Sequence, residues 1–198
     1  MFIKKSQIPL LIVNAIYLLI AGIYFLSREN YEFVMYVGII VVIFFLILAT
    51  NKKVDYPNFV LGGLTIWGIL HMLGGAVIID GAVLYAKILI PIVGAPYHIF
   101  RYDQFVHVFG FGVATLLMFV LLKPFLKFPI KKWASISVLV IMAGFGVGAL
   151  NEMVEFTATV LVPETGVGGF INTSLDLVAD FVGAILAMIY IWIKKGKI

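Results

Sequence analysis

The chain has 198 residues, 63% of them hydrophobic and 12% charged, with a mean hydropathy of +1.14 and a formal net charge of +4 at pH 7. That composition is a membrane protein's, and the apolar runs leave no room for a soluble domain. The sequence contains no cysteine, which excludes disulfides, thiolate nucleophiles, iron–sulfur clusters and cysteine zinc sites, so any metal must be held by oxygen and imidazole ligands.

A hydrocarbon core roughly 30 Å thick takes about 20 apolar residues per helical span, and six such stretches can be read along the chain. The expected fold is all-α, a polytopic bundle of six transmembrane helices forming a single membrane domain over residues 1–198. The first span, 8–26, is too long for a signal h-region and no small-x-small cleavage site follows it, so it is expected to be retained. Spans at 33–50 and 59–79 follow. The next stretch, DGAVLYAKILIPIVGAPYHIFRY at 80–102, is apolar but broken by Gly81, Pro91, Gly94 and Pro96; it reads as re-entrant, as a partial seventh span or as interfacial, the reading favoured. Spans at 103–122 and 134–162 come next, then the turn PETGVGGFIN at 163–172 and a last span at 174–193.

Eleven of the fourteen basic residues, among them Lys4, Lys52, Lys131 and Lys194, fall at the termini or in alternate connections, while Arg28, Lys87 and Arg101 fall in the others. The positive-inside rule then puts both termini in the cytoplasm of a cell-membrane protein. The basic balance thus reports topology, with the lipid bilayer as partner and no nucleic acid. Trp133, Tyr190 and Trp192 sit at expected cytoplasmic ends, where aromatic belts form.

Five of the ten acidic residues fall in or at the ends of the last three spans: Asp103, Glu152, Glu155, Asp176 and Asp180. At about 1.5 Å per residue, Glu152 lies roughly 28 Å and Glu155 roughly 33 Å from Trp133, and His107 about 6 Å from Asp103, so with the expected topology all share the outer part of the membrane. Small residues mark the sides on which membrane helices approach closely. Asp103 and His107 continue into Gly110 and Ala114, Glu152 and Glu155 follow Gly144 and Gly148, and Asp176 and Asp180 run into Gly183 and Ala184. The three helices are therefore expected to converge on one acidic pocket, with His71, beside Gly68 and Gly75, facing the same space. Glu152 and Glu155 lie toward the wrong end of their helix for the dipole to account for them. Asp103 is explained equally by the dipole, and Asp176, three residues after Thr173, by a helix cap.

Five negative charges in a low dielectric require protonation, pairing with Arg101 or Lys87, or a divalent cation. Carboxylates with one imidazole suit Mg²⁺, Mn²⁺ or Ca²⁺, with Zn²⁺ and Fe²⁺ also accommodated, and the metal-ligand set is taken as Asp103, His107, Glu152, Glu155, Asp176 and Asp180. Arg101, His71 and Asn151 are the candidates to touch a substrate.

RYDQFVHVFGFG resembles the basic-x-Asp-x-x-x-His-Phe-x-x-Gly-Phe pattern of YjdF-like inner-membrane proteins, a family of unknown function. NEMVEF resembles their Glu-x-x-Glu-aromatic element, INTSLDLVADFVGA their Asp-Thr-x-x-Asp followed by Gly-Ala, and HMLGG their His-x-x-Gly. A weaker similarity links the same order to VanZ-like membrane proteins. The resemblance covers residues 71–184 and implies a shared site on a six-span fold; Asn172 stands where the pattern has the first Asp of Asp-Thr, so it is left out of the ligand set.

Three functions follow as expectations. The first is a metal-dependent intramembrane enzyme acting on a lipid or lipid-linked substrate, with Arg101 on an anionic head group. The second is a cation- or proton-coupled transporter or ion-binding protein, and the third a non-catalytic protein whose acids form a structural network.

Overall fold

The computed structural model describes residues 3–198. It contains six helices long and apolar enough to cross a membrane: α1 (Ile8–Ser27), α2 (Tyr31–Val54), α3 (Asn58–Ala76), α4 (Tyr102–Leu122), α5 (Trp133–Leu161) and α6 (Phe170–Ile193). Each start has a local cause. Pro9 sits in the first turn of α1, where its missing N–H costs nothing. The Asn30 side chain accepts a bond from the Phe33 N–H at 3.1 Å and caps α2. The Gln104 side chain accepts from the Arg101 N–H at 2.6 Å across the first turn of α4.

Between α3 and α4 the chain is extended. β1 (Ile78–Ile79) and β2 (Ala82–Val83) pair antiparallel around Asp80 and Gly81, both with positive φ, as a two-residue hairpin turn demands. β3 (Ile88–Val93) pairs antiparallel with β4 (Ile99–Arg101), Ile88 opposite Arg101 and Val93 opposite Ile99. A seventh helical span is absent among the described residues: the run ILIPIV is β-branched, and Pro91 would break a helix there. The sixth helix begins at Phe170, four residues before the expected start, with Gly169 as its extended N-cap.

The chain forms two compact units. The first comprises residues 1–84 and 156–167. In it α1 packs on α2 and α3, and Phe25 stacks on Phe33 with ring centroids 4.6 Å apart. Gly75 leaves the space that the Phe33 ring fills. The second unit comprises residues 85–155 and 168–198 and is built on α4 against α6. Phe119, Ile130, Val140, Met188 and Ile191 form its apolar core at one end of the helices. In both units large apolar side chains such as Leu19, Ile23, Leu139 and Leu186 remain exposed, as lipid-facing positions of a membrane bundle do.

The α4–α6 contact depends on Gly183, where a Cβ would run into the Val108 carbonyl oxygen and the Gly112 backbone. Gly183→Val is expected to cost about 1–3 kcal/mol by overpacking. Gly146→Ala, where a Cβ meets nothing within 4 Å, should leave stability unchanged or raise it by up to about 1 kcal/mol through helix propensity. Unfolding midpoints of the two purified variants in the same detergent check the difference.

Candidate functional site: a buried histidine–carboxylate centre

Asp103 and His107 lie one helical turn apart on α4, Glu152 and Glu155 three residues apart on α5, and Asp176 and Asp180 one turn apart on α6. All six side chains belong to the second unit, and His107 is the one they share. Its Nδ1 stands 2.8 Å from Asp180 Oδ1 and 3.8 Å from Glu152 Oε1; its Nε2 stands 3.7 Å from Asp103 Oδ1 and 3.9 Å from Glu155 Oε1. His107 and Glu152 are only 4% and 8% exposed, Asp176 and Asp180 not at all.

The closeness has a steric origin. A Cβ at Gly148 would overlap the Asp180 carboxylate, so glycine there lets α5 approach α6 at the level of the acids. One turn earlier Gly144 makes the same room for Thr115 of α4, and Phe145 meets Phe181 edge-on at 5.7 Å.

Two amides sew the acids together. Asn172 donates to Asp103 Oδ2 at 3.2 Å and also to Asp176 Oδ2, and Gln104 donates to Asp176 Oδ1 at 3.3 Å. Asn151 donates to Glu155 Oε1 at 2.9 Å. Both oxygens of Glu152 and the Oδ2 of Asp180 are buried without a hydrogen-bond partner. A buried acceptor left so costs on the order of 1–3 kcal/mol, more if charged.

Among the described residues two sets offer ligand atoms within 4.8 Å of one another: Asp103 with His107 and Asp176, and His107 with Glu152 and Glu155. Bonds of roughly 2.0–2.6 Å from hard divalent cations to oxygen allow ligand atoms on opposite sides to stand about 4–5 Å apart, so a His/Asp/Glu group here could hold a metal ion. Asp180 belongs to neither set and bonds His107 Nδ1.

The three candidates to touch a substrate have different surroundings. His71 lies in the first unit, its ring 5.6 Å from Trp67, 5.4 Å from Tyr36 and 5.9 Å from Phe33. Arg101 is the residue before α4, and Asn151 bonds Glu155. The cap reading of Asp176 fails, because α6 starts at Phe170 and Asp176 lies beyond its first turn. Asp103 does lie in the first turn of α4, where the dipole favours it. Gln104 and Asn172 carry no charge, and their part in the centre shows only in three dimensions. Glu32 was also passed over: it is buried in the first unit, accepting from Tyr36 at 3.2 Å and from the Gly166 N–H at 2.6 Å.

The six membrane-length helices and the buried ionisable centre define a multi-pass membrane protein with a histidine–carboxylate site inside its helices. Residues 8–197 match the model of the family described as Predicted membrane protein (DUF2238), and the chain belongs to that family, which is the YjdF-like one. Neither the curated proteins nor the solved structures give a match to it.

With Asp180 accepting at Nδ1, the His107 proton is placed on Nδ1 and the lone pair of Nε2 faces Asp103 and Glu155; this tautomer is assigned from the hydrogen bond. In ¹⁵N-histidine NMR of the neutral imidazole the unprotonated nitrogen should be Nε2, and Asp180→Leu should abolish that preference. A proton found on Nε2 of the wild-type ring would contradict the assignment.

Proposed function

We propose that this protein is a metal-dependent enzyme of the cell membrane that binds one divalent cation at His107 and acts on a lipid or lipid-linked substrate. The observation that carries the reading is Glu152, 92% buried with both carboxylate oxygens unpartnered and one of them 3.8 Å from the His107 ring. A cation beside it would supply the missing partner and offset the surrounding acids.

The donor set is oxygen-rich with a single imidazole, which suits Mg²⁺, Mn²⁺ or Ca²⁺ and admits Zn²⁺. His107 Nε2, Asp103 and Glu155 would be ligands, with Asp176 or Glu152 closing the shell. Asp180 then serves as a positioning residue: a carboxylate on the far nitrogen of a ligating histidine fixes its orientation and raises its basicity. Asn172 and Gln104 orient Asp176 in the same sense. A bound cation would polarise a phosphoryl or acyl oxygen or lower the pKa of a water. Glu152, where it is not a ligand, would take a proton. Arg101, two residues before Asp103, offers a guanidinium to an anionic head group.

The distribution of basic residues supports cytoplasmic termini, with α4 and α6 entering the membrane from outside at the ends that carry the acids. The site would then open toward the outer leaflet, where lipid-linked substrates are within reach.

Metal analysis of the purified protein should find about one equivalent of a divalent cation. His107→Ala should lose it, Glu152→Gln should weaken it by leaving one buried charge fewer to offset, and Asp180→Asn should bind it about 10–100-fold more weakly. A stable wild-type protein that stays metal-free after equilibration with each cation in turn overturns the proposal. Cation flux into proteoliposomes that disappears in Glu152→Gln would mark a carrier in place of an enzyme.

A further inference from the structure

We infer that the first unit holds an anionic phospholipid, with one acyl chain lodged between α1, α2 and α3 and the head group on the lysines at one end. The inference concerns residues 3–67 and does not depend on the His107 centre. These three helices line a narrow, half-open cleft that is almost wholly apolar. Its walls are side chains such as Leu11, Ile40, Phe44 and Leu64.

The few polar groups along it are already paired with one another. Gln7 and Asn51 exchange hydrogen bonds, Asn51 donating at 2.7 Å, and Gln7 also donates to the Tyr56 carbonyl at 3.2 Å. Asn14 donates to Thr65 at 2.7 Å and to the Leu10 carbonyl at 2.8 Å. A polar ligand would find few groups to replace its hydration, whereas a hydrocarbon chain gains dispersion contact along every wall.

The length selects the occupant further. From Gln7, just before α1, to Tyr17 the lining advances ten positions, about 15 Å at the helical rise and about half of a 30 Å hydrocarbon core. One leaflet's acyl chain fits that run.

Charge selects the head group. The Asn58 side chain bonds the Ser6 carbonyl at 3.4 Å, which with the Gln7–Asn51 pair gathers residues 4–7 and 51–58 at the cleft's polar end. Lys4, Lys5, Lys52 and Lys53 stand there with a single acid, Asp55, which Lys4 pairs at 2.5 Å. Lys5, Lys52 and Lys53 are exposed and have no carboxylate partner among the described residues. A zwitterionic lipid brings its own cation, while an anionic one supplies the charge this end lacks.

Trp67 lines the far part of the cleft and reports on its contents. The full chain carrying Trp133→Phe and Trp192→Phe keeps Trp67 as its one tryptophan. In bilayers doped with brominated lipid, brominated phosphatidylglycerol should quench Trp67 at a mole fraction at least ~5-fold lower than brominated phosphatidylcholine does, since one basic side chain near a membrane surface contributes that order of preference. Replacing Lys5, Lys52 and Lys53 by Gln, all at exposed positions, should remove the preference while helical circular dichroism and the unfolding midpoint stay unchanged. Equal quenching by both lipids, a preference that survives the three substitutions, or a Trp67 that neither lipid quenches overturns the inference.

Discussion

The bond from His107 to Asp180 is the interaction on which the second unit turns. An imidazole and a carboxylate with little or no exposure cannot draw on water, so each must be held by the other and by the helices that carry them. That requirement explains why α4 and α6 approach until Gly112 and Gly183 meet backbone to backbone, and why α5 presents Gly148 to the Asp180 carboxylate. Larger residues at those positions would separate the groups, and at a distance of several ångströms in a low dielectric the charges would be unsupported. The polar centre and the small-residue stripes are one design. The apolar core around Phe119 and Ile191 then holds the opposite end of the same helices.

Not all of the centre is satisfied, and the pattern of what is missing is informative. The amides Asn172, Gln104 and Asn151 each bond a carboxylate, which spreads the acids around the ring and leaves Asp103 and Glu155 on one side of it. Glu152 is left over. A purely structural network would be expected to close on itself, because a half-satisfied one is worse than an apolar core. Both carboxylate oxygens of Glu152 stay outside the network.

The first unit solves a different problem with different chemistry. Its buried polar groups are matched pairwise, Gln7 with Asn51, Asn14 with Thr65 and Glu32 with Tyr36 and Gly166, and His71 is enclosed by aromatic rings. Among its described residues no group of acids and histidines stands at ligand spacing. What it offers instead is an apolar cleft and a basic end, which are properties of a lipid-facing surface.

The sequence by itself determined the six spans, since apolar run length is fixed by bilayer thickness and survives any arrangement of the helices. It also determined which acids share a helix face with small residues, because the helical period is local. The tertiary structure decided the rest. Whether β-branched residues 88–93 would pair as strands, whether Asp176 would cap a helix or lie inside one, and which unit would enclose His71 all depended on partners distant along the chain. The neutral amides Asn172 and Gln104 gave no charge signal, and their contacts reach Asp103 and Asp176 only once α4 and α6 lie side by side. Packing likewise sets Asp180 against Nδ1 of His107, because spacing gives a residue's face and only the facing helix gives its partner.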